Sequence, residues 1–551
     1  MKSKKIFNLI LLLILSIFTF YRLLRPGYFS MMDDMHVFRL QQFDQCLKDG
    51  QIPCRFITNG GLGYGYPLFN YYPPLSYSIA EIFHLTGFSL INSLKITFAI
   101  SHIIGLLGMY LFANLFWGEI GGIISAILFL FAPYQATNAF VRGDIAELLA
   151  INIIPWVFYF LTKFINQNKN KLGLIFSLSA LLLTHNLISL TIAPILLTYS
   201  LFLLLKNKKL KINSIIKLSI PVLFSIGLSA FFILPALFEK NLVTVETMTQ
   251  GYFYYVNHFA TLKQLFISRF WGYGASLWGP IDDMAFSVGI AQWILPLVAI
   301  ILFLFKRNKK YFPLIILFSL ISLFSLFLTH NKSTFIWKIL PFMAYYQFPW
   351  RFLSVAIFTL SFISGSIVLF IKKKFQIFLL TIIIISTLLL NFSYFKEDIW
   401  YSNLTDNQEL SQDRLIAQSG AGLKDYWPKF GQNFPTSFAP NQPTASNNIN
   451  INYFYKNSRQ VNLIANVDSD GTIIIPLVYF PNWYLTIDGQ PSEIKIDPDL
   501  GLIKFDVQKG NHTIFLEFKN TPIRNITNTI SLVSLFLIII LVLKPKFKNE
   551  K

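Results

Sequence analysis

The chain has 551 residues, of which 54% are hydrophobic and only 13% charged, the composition of a protein whose solvent is mostly lipid. Its formal net charge of +19 does not point to nucleic acid, because the lysines gather at the ends of apolar runs and form no contiguous basic face.

The chain opens with "KSKKIFNLILLLILSIFTFYRLL". This has the basic start of a signal peptide, but its apolar run is about 19 residues long and no small-x-small cleavage site follows, so it reads as an uncleaved span with its lysines in the cytoplasm. The next stretch, "SMMDDMHVFRL" at 30–40, then lies outside. Further lysine clusters fall at Lys163, Lys169 and Lys171 and at 206–211, 306–310, 372–374 and 544–551. If each cluster is cytoplasmic, the apolar stretches between them go out and come back. This gives roughly twelve spans, at about 6–24, 92–116, 120–139, 145–163, 172–186, 187–205, 214–237, 287–305, 311–328, 350–371, 375–393 and 526–543. Both termini are then cytoplasmic, and the expected place is the cell membrane.

Two of these spans adjoin oddly. The stretch from Lys171 to Lys206 carries no charge between its ends and is too long for one crossing, yet a half of about 13 residues rises only about 20 Å against a core of about 30 Å. Thr184, His185 and Asn186 are therefore expected below the outer surface, where polar backbone is tolerated only inside protein or beside a wet cavity.

The expected division is a membrane domain at 1–393 with outer loops 25–91 and 239–286, an extracytoplasmic β-rich domain at 394–522, and a last span with a basic tail at 523–551. The first loop holds "NGGLGYGYPLFNYYPPL", a short helix near 75–85, and the only cysteines, Cys46 and Cys54. These either form a disulfide in an oxidising compartment or remain two thiols. The β-rich segment alternates with period two in "QVNLIANV", "GTIIIPLVYF", "NWYLTIDGQ", "GLIKFDVQKG" and "NHTIFLEF", the pattern of antiparallel strands in a small sandwich. The fold class is thus mostly α, a polytopic membrane protein of about twelve transmembrane helices, with a C-terminal extracytoplasmic β-sandwich-like domain.

Asp33 and His36 share a face if helical, with Asp34 turned away. One carboxylate as general base, a divalent cation held by Asp33, Asp34 and His36, and simple helix capping are the open readings. Arg142, Asp144 and Glu147 in "FVRGDIAELLA" and Arg351 in "QFPWRFL" stand at outer span ends. Arginines there either snorkel to headgroups or clamp a phosphate. His185 and His330 occupy two "LTHN" contexts; they join His36, Arg142, Glu147 and Arg351 as candidate substrate-binding groups, or are histidines satisfied by their neighbours. Tyr64, Tyr66, Tyr71, Tyr72, Trp271 and Trp278 are candidate stacking surfaces, or members of an interfacial aromatic belt.

The acidic pair after the first span, together with "GYGYPLFNYYPPLSY", "FVRGDIAELLA", "FWGYGASLWGPIDDMAFSVG" and "QFPWRFL", resembles the bacterial membrane proteins labelled 6-pyruvoyl-tetrahydropterin synthase related. Their architecture is similar to the glycosyltransferase C superfamily, which uses polyprenyl-phosphate-linked sugars. The resemblance covers the chain up to about 390. It implies that Asp33 and Asp34 supply the catalytic carboxylate, and it implies no role for Arg142 or Arg351. The two acids are adjacent, unlike the spaced acid-x-acid form of metal-dependent members, so a divalent cation stays open as the only cofactor in question. The expected activity is hexosyl or pentosyl transfer from a polyprenyl-phosphate donor to a glycan, lipid or protein acceptor outside the cell. A transporter or lipid flippase, or an inactive envelope-assembly scaffold, is the alternative.

Overall fold

The computed structural model describes residues 2–277, 282–306, 310–411, 413–415 and 424–543. Trp278, residues 307–309 of one lysine cluster and the basic tail from 544 lie outside the described residues. The described chain is mostly helical with a β region near its C-terminus, as its composition and alternation imply. Eight described helices are long and apolar enough to cross a bilayer, nine if the bent pair Phe312–Leu328 and Asn331–Ile339 is one span. Lys171–Thr184 and Ile290–Lys306 are apolar but shorter. The segments at 92–116 and 120–139 are joined through one helix, Leu90–Leu130, that breaks at Gly118 (φ 75°, ψ −178°). That backbone conformation is open essentially to glycine alone. No atom stands within 4 Å of where a Cβ on Gly118 would lie, so conformation and not crowding demands glycine there.

The chain forms two compact units. The first comprises 1–36, 78–222 and 248–406, and the second 37–77, 223–247 and 407–551.

At the centre of the first unit, every residue of helix Leu353–Gly365 is buried. Lipid tails are as apolar as phenylalanine, so shape and close approach hold such helices together more than transfer from water does. Rings interlock around this helix, with Phe362 4.7 Å from Phe112 and 4.5 Å from Phe318, and Phe358 4.8 Å from Phe158. Backbones also meet where side chains vanish: a Cβ on Gly121 would come within 2.6 Å of the Gly365 carbonyl oxygen. Strand β1 (Tyr28–Phe29) pairs with β2 (Trp400–Tyr401).

The second unit carries the remaining strands: β3 (Thr444–Ala445), β4 (Ile449–Lys456), β5 (Gln460–Val467), β6 (Gly471–Val478), β7 (Trp483–Ile487), β8 (Gln490–Ser492), β9 (Lys495–Ile496), β10 (Leu502–Val507) and β11 (Gly510–Phe518). They form two antiparallel sheets, ordered β3-β6-β10-β9 and β4-β5-β11-β7-β8. Alternation explains the faces, since Val461, Leu463, Ala465 and Val467 of β5 are buried with Ile514, Leu516 and Phe518 of β11. The β7–β8 turn uses Asp488 and Gly489, both at positive φ (53° and 80°), as a two-residue turn of this hand requires. Cys46 and Cys54 are joined by a disulfide across eight positions. The second unit also holds a buried ionic network. Glu239 accepts from Arg524 Nε at 3.0 Å, Asn70 Nδ2 at 2.8 Å and Thr521 Oγ1 at 2.8 Å. Arg55 reaches Asn70 Oδ1 at 3.1 Å and Asn528 Oδ1 at 2.9 Å.

Candidate functional site

Several of the singled-out charges converge in the first unit. After Pro133, which starts a helical turn at Pro133–Ala136, the segment Thr137–Arg142 widens into a π-helical turn, a distortion often found at functional sites. It ends at Gly143 in the left-handed region (φ 68°). Asp144 then caps helix Ile145–Gln167, its carboxylate accepting from the Glu147 N–H at 2.8 Å. In this Gly-Asp-x-x-Glu arrangement the cap holds the first turn, leaving the Glu147 side chain to point elsewhere.

Glu147 is fully buried, and its Oε2 receives two guanidinium groups, Arg142 Nη1 at 2.9 Å and Arg351 Nε at 3.0 Å. Its Oε1 accepts from the Tyr134 hydroxyl at 2.6 Å. Arg142 also holds Asp144 Oδ2 at 2.8 Å and contacts Asn138 Oδ1, while its guanidinium lies over Trp350, 4.7 Å from the ring centre. Arg351 comes from the turn Pro349–Phe352 that precedes the central helix, and its Nη1 donates to Tyr346 O and Gln347 Oε1, each at 2.9 Å. Two arginines and two carboxylates leave the cluster neutral. Burial favours the uncharged forms, yet Arg142 is raised by Glu147 and Asp144. Burial likewise works against ionised Asp144, but Arg142, His185 and Arg351 hold its carboxyl below the usual range.

His185 sits at the break between Lys171–Thr184 and Asn186–Lys206, in extended conformation. Its Nδ1 accepts from the Ile188 N–H at 3.1 Å, which leaves the ring proton of the neutral form on Nε2. That Nε2 stands 3.9 Å from Glu147 Oε2. Asp144, Glu147 and His185 offer ligand atoms within 4.8 Å of one another. The donor set suits a divalent cation, but both carboxylates already face guanidinium groups, which repel one.

The opening motif is bound to this cluster through backbone. Met32 and Asp33 donate their N–H groups to the carbonyl oxygens of Val141 and Arg142 at 3.0 and 2.9 Å, and buried His36 donates from Nε2 to Gly143 O at 2.5 Å. Asp33 and Asp34 precede the helix His36–Lys48 instead of lying on it, so the expected shared helical face is made by a turn. Asp33 Oδ2 is 3.8 Å from His36 Nε2, and the Asp33 side chain is 32% exposed, so it is the reachable acid beside a buried cluster. Because His36 Nε2 is committed to Gly143, that nitrogen is not free to ligate a cation with Asp33 and Asp34.

The other candidates have local partners. His330 caps the 3-10 turn Asn331–Ser333, accepting from the Lys332 N–H at 3.2 Å. Trp271 stacks on Tyr394 at 4.7 Å. Tyr64, Tyr66, Tyr71 and Tyr72 belong to the second unit, where the Tyr71 hydroxyl donates to Glu239 O at 2.7 Å. Sequence reasoning gave no role to Asp144, although an acid three residues before Glu147 at a helix start is a cap signature. It passed over Tyr134, Asn138 and Gln347, which carry no pattern of their own.

Comparison with known proteins gives the following. Residues 69–396 match the family described as 6-pyruvoyl-tetrahydropterin synthase related domain, membrane protein. An uncharacterized protein of Lactococcus lactis subsp. cremoris (strain MG1363) is 29% identical over 328 residues, 56% of this chain and 51% of the relative, so the match spans about half the relative's length. Among solved structures, ArnT from Cupriavidus metallidurans bound to undecaprenyl phosphate is 11% identical over 70% of this chain and 64% of that one, with a TM-score of 0.37. A superposition so loose carries no weight for activity.

Proposed function

The chain belongs to the 6-pyruvoyl-tetrahydropterin synthase related family of membrane proteins, and from that premise we propose that it is a glycosyltransferase, moving a hexosyl or pentosyl group from a polyprenyl-phosphate donor to an extracytoplasmic acceptor. The observation that carries this reading is the meeting of Arg142 and Arg351 on Glu147, beside a partly exposed Asp33 hydrogen-bonded to the Arg142 backbone. Two forked, permanently charged donors suit a phosphate leaving group, and the nearby carboxylate suits a base.

In this reading the Asp33 carboxylate takes the proton from an acceptor hydroxyl as its oxygen attacks the anomeric carbon. The carbon–oxygen bond to phosphate breaks, its electron pair leaves with the polyprenyl phosphate, and Arg142 and Arg351 stabilise that charge. Glu147 holds the two forks together on one carboxylate oxygen until the phosphate competes for them. Asp34 is the alternative base.

A transfer assay on the purified protein with a short-chain polyprenyl-phosphate sugar tests this. Asp33→Asn is nearly isosteric and should lose on the order of 10² to 10⁴-fold in rate while donor binding persists. Full activity in Asp33→Asn, Asp34→Asn and the double variant would overturn the mechanism. Donor movement across a bilayer without sugar transfer would favour a flippase.

A further inference from the structure

The outward face of the five-stranded sheet differs from every other strand face in the second unit. Across β4, β5, β11 and β7 one row reads Tyr455, Asn462, Phe515, Thr486, and the next reads Tyr453, Ile464, Thr513. A third row is Asn450, Asn466 and Asn511. Tyr453, Tyr455 and Ile464 are 49%, 43% and 44% exposed and lie side by side on this face. Asn452 interrupts the β4–β5 register, yet Tyr453 and Tyr455 still face the outward Ile464 and Asn462, so both rings lie on one side.

Charge is confined to the rim and is paired there. Glu517 meets Arg459 at 3.2 Å and Lys519 at 3.5 Å, and Asp488 meets His512 at 2.7 Å. The four-stranded sheet is different, its outward residues including the ion pair of Lys495 with Asp506. The aromatic rows thus offer neither the basic groups an anionic headgroup wants nor acids for a cation. They offer flat rings interleaved with amides and hydroxyls, which match a ligand that is uncharged, has apolar C–H faces and bears many hydroxyls. Tyr455 and Phe515 are two strand spacings apart, roughly 10 Å, a separation that passes one sugar ring and meets the next but one in an extended chain.

We propose that this face is a binding platform for a neutral glycan chain, with Tyr453, Tyr455 and Phe515 stacking on sugar rings and Asn462, Asn466 and Asn511 hydrogen-bonding to hydroxyls. It deepens the transferase reading by naming where an acceptor is held, but binding at the platform needs no catalysis. Strand β11 ends at Phe518, four positions before the span Pro522–Leu543, so a chain held here stays tethered close to a membrane helix.

The test uses the full-length protein in detergent against neutral homo-hexasaccharides, matched uronic-acid hexasaccharides, and phosphatidylglycerol vesicles. The expected result is binding of neutral hexasaccharide that weakens about tenfold in Tyr455→Ala and in Phe515→Ala, is kept in Tyr455→Phe, and is unchanged in Lys504→Ala on the other sheet. Asp33→Asn should bind the glycan as wild type does, so loss of transfer with retained binding would separate the two readings. No neutral-glycan binding, binding of the uronic-acid chain alone, or vesicle binding that disappears in Tyr455→Ala would overturn the platform; the last would make it a lipid-contacting face.

Discussion

The backbone N–H of Asp33 donates to the carbonyl oxygen of Arg142 at 2.9 Å. Two residues more than a hundred positions apart are thereby fixed by groups that neither side chain controls. The reachable carboxylate and the buried fork keep their spacing whatever their protonation states. Three consequences concern this joint and the cluster behind it, and a fourth concerns acid.

Gly143 is the hinge pin of the joint. It lies at φ 68°, and a Cβ there would come within 2.2 Å of Met31 Sδ. Gly143→Ala should cost roughly 1–2 kcal/mol from the left-handed backbone alone and push the 30–36 segment off the Arg142 turn. Transfer activity should fall while helical circular dichroism is retained. Adding Met31→Ala removes the contacts with Met31 Sδ and Cγ but leaves its Cβ at 2.8 Å and the backbone strain, so only partial recovery is expected. Wild-type activity in Gly143→Ala would mean that the joint does not position Asp33.

Arg351→Lys and Arg142→Lys keep the charge and lose the fork. If the two arginines clamp a phosphate, affinity for a short-chain polyprenyl phosphate should drop on the order of tenfold to a hundredfold in each, measured by titration calorimetry. Unchanged affinity in both variants would leave Arg142 and Arg351 as structural partners of Glu147 only.

Chelation separates the cluster's two chemistries. Asp144, Glu147 and His185 have the donors for a cation, but Glu147 Oε2 has guanidinium nitrogens at 2.9 and 3.0 Å, and a divalent ion would have to displace both. EDTA should therefore leave transfer unchanged, and added magnesium or manganese should not raise it. Abolition by chelation, with recovery on adding metal, would transfer the role of the arginines to an ion.

Acid should act late. Burial opposes the charge on Asp144, but Arg142, His185 and Arg351 depress its carboxyl. Such a group contributes stability above its unfolded value of about 3.9 and loses it as pH falls through the lower folded value. The melting temperature should hold between pH 7 and about 5 and fall below about 4. Asn caps a helix about as well as Asp, so Asp144→Asn should flatten that acid limb. An acid limb of the same size in the variant would assign it to other groups.

Much of the architecture was legible because lipid imposes it. Apolar runs bounded by lysines marked the helices, the helix at 75–85 appears as Leu75–Leu85, and period-two alternation marked β5, β6, β7, β10 and β11. Strand β4 was hidden because the register shift at Asn452 swaps which residues of "ININYFYK" face inward, so no one face reads apolar along its length. The charges of the cluster could be named one by one, since a charge at a span end is conspicuous. Their convergence could not, because Arg351 reaches Glu147 across 204 positions and no spacing rule covers a contact between separate helices. The Glu239 network was invisible for the same reason, each member being an ordinary polar residue until the fold closes around it.

That network also sets a schedule. Glu239 accepts from Asn70, made 169 positions earlier, and from Arg524, made 285 positions later. At synthesis rates of roughly 5–20 residues per second, its guanidinium partner arrives roughly a quarter of a minute to a minute after Glu239 itself has left the ribosome. Throughout that interval the carboxylate at the end of the helix Ile212–Phe238 has Asn70 but not Arg524, so the network cannot close before the start of the helix Pro522–Leu543 has been made. A ribosome stalled just before Arg524 would leave Glu239 without that guanidinium and, with β10 and β11 only a few residues upstream and still in the exit tunnel, would leave both sheets unfinished as well.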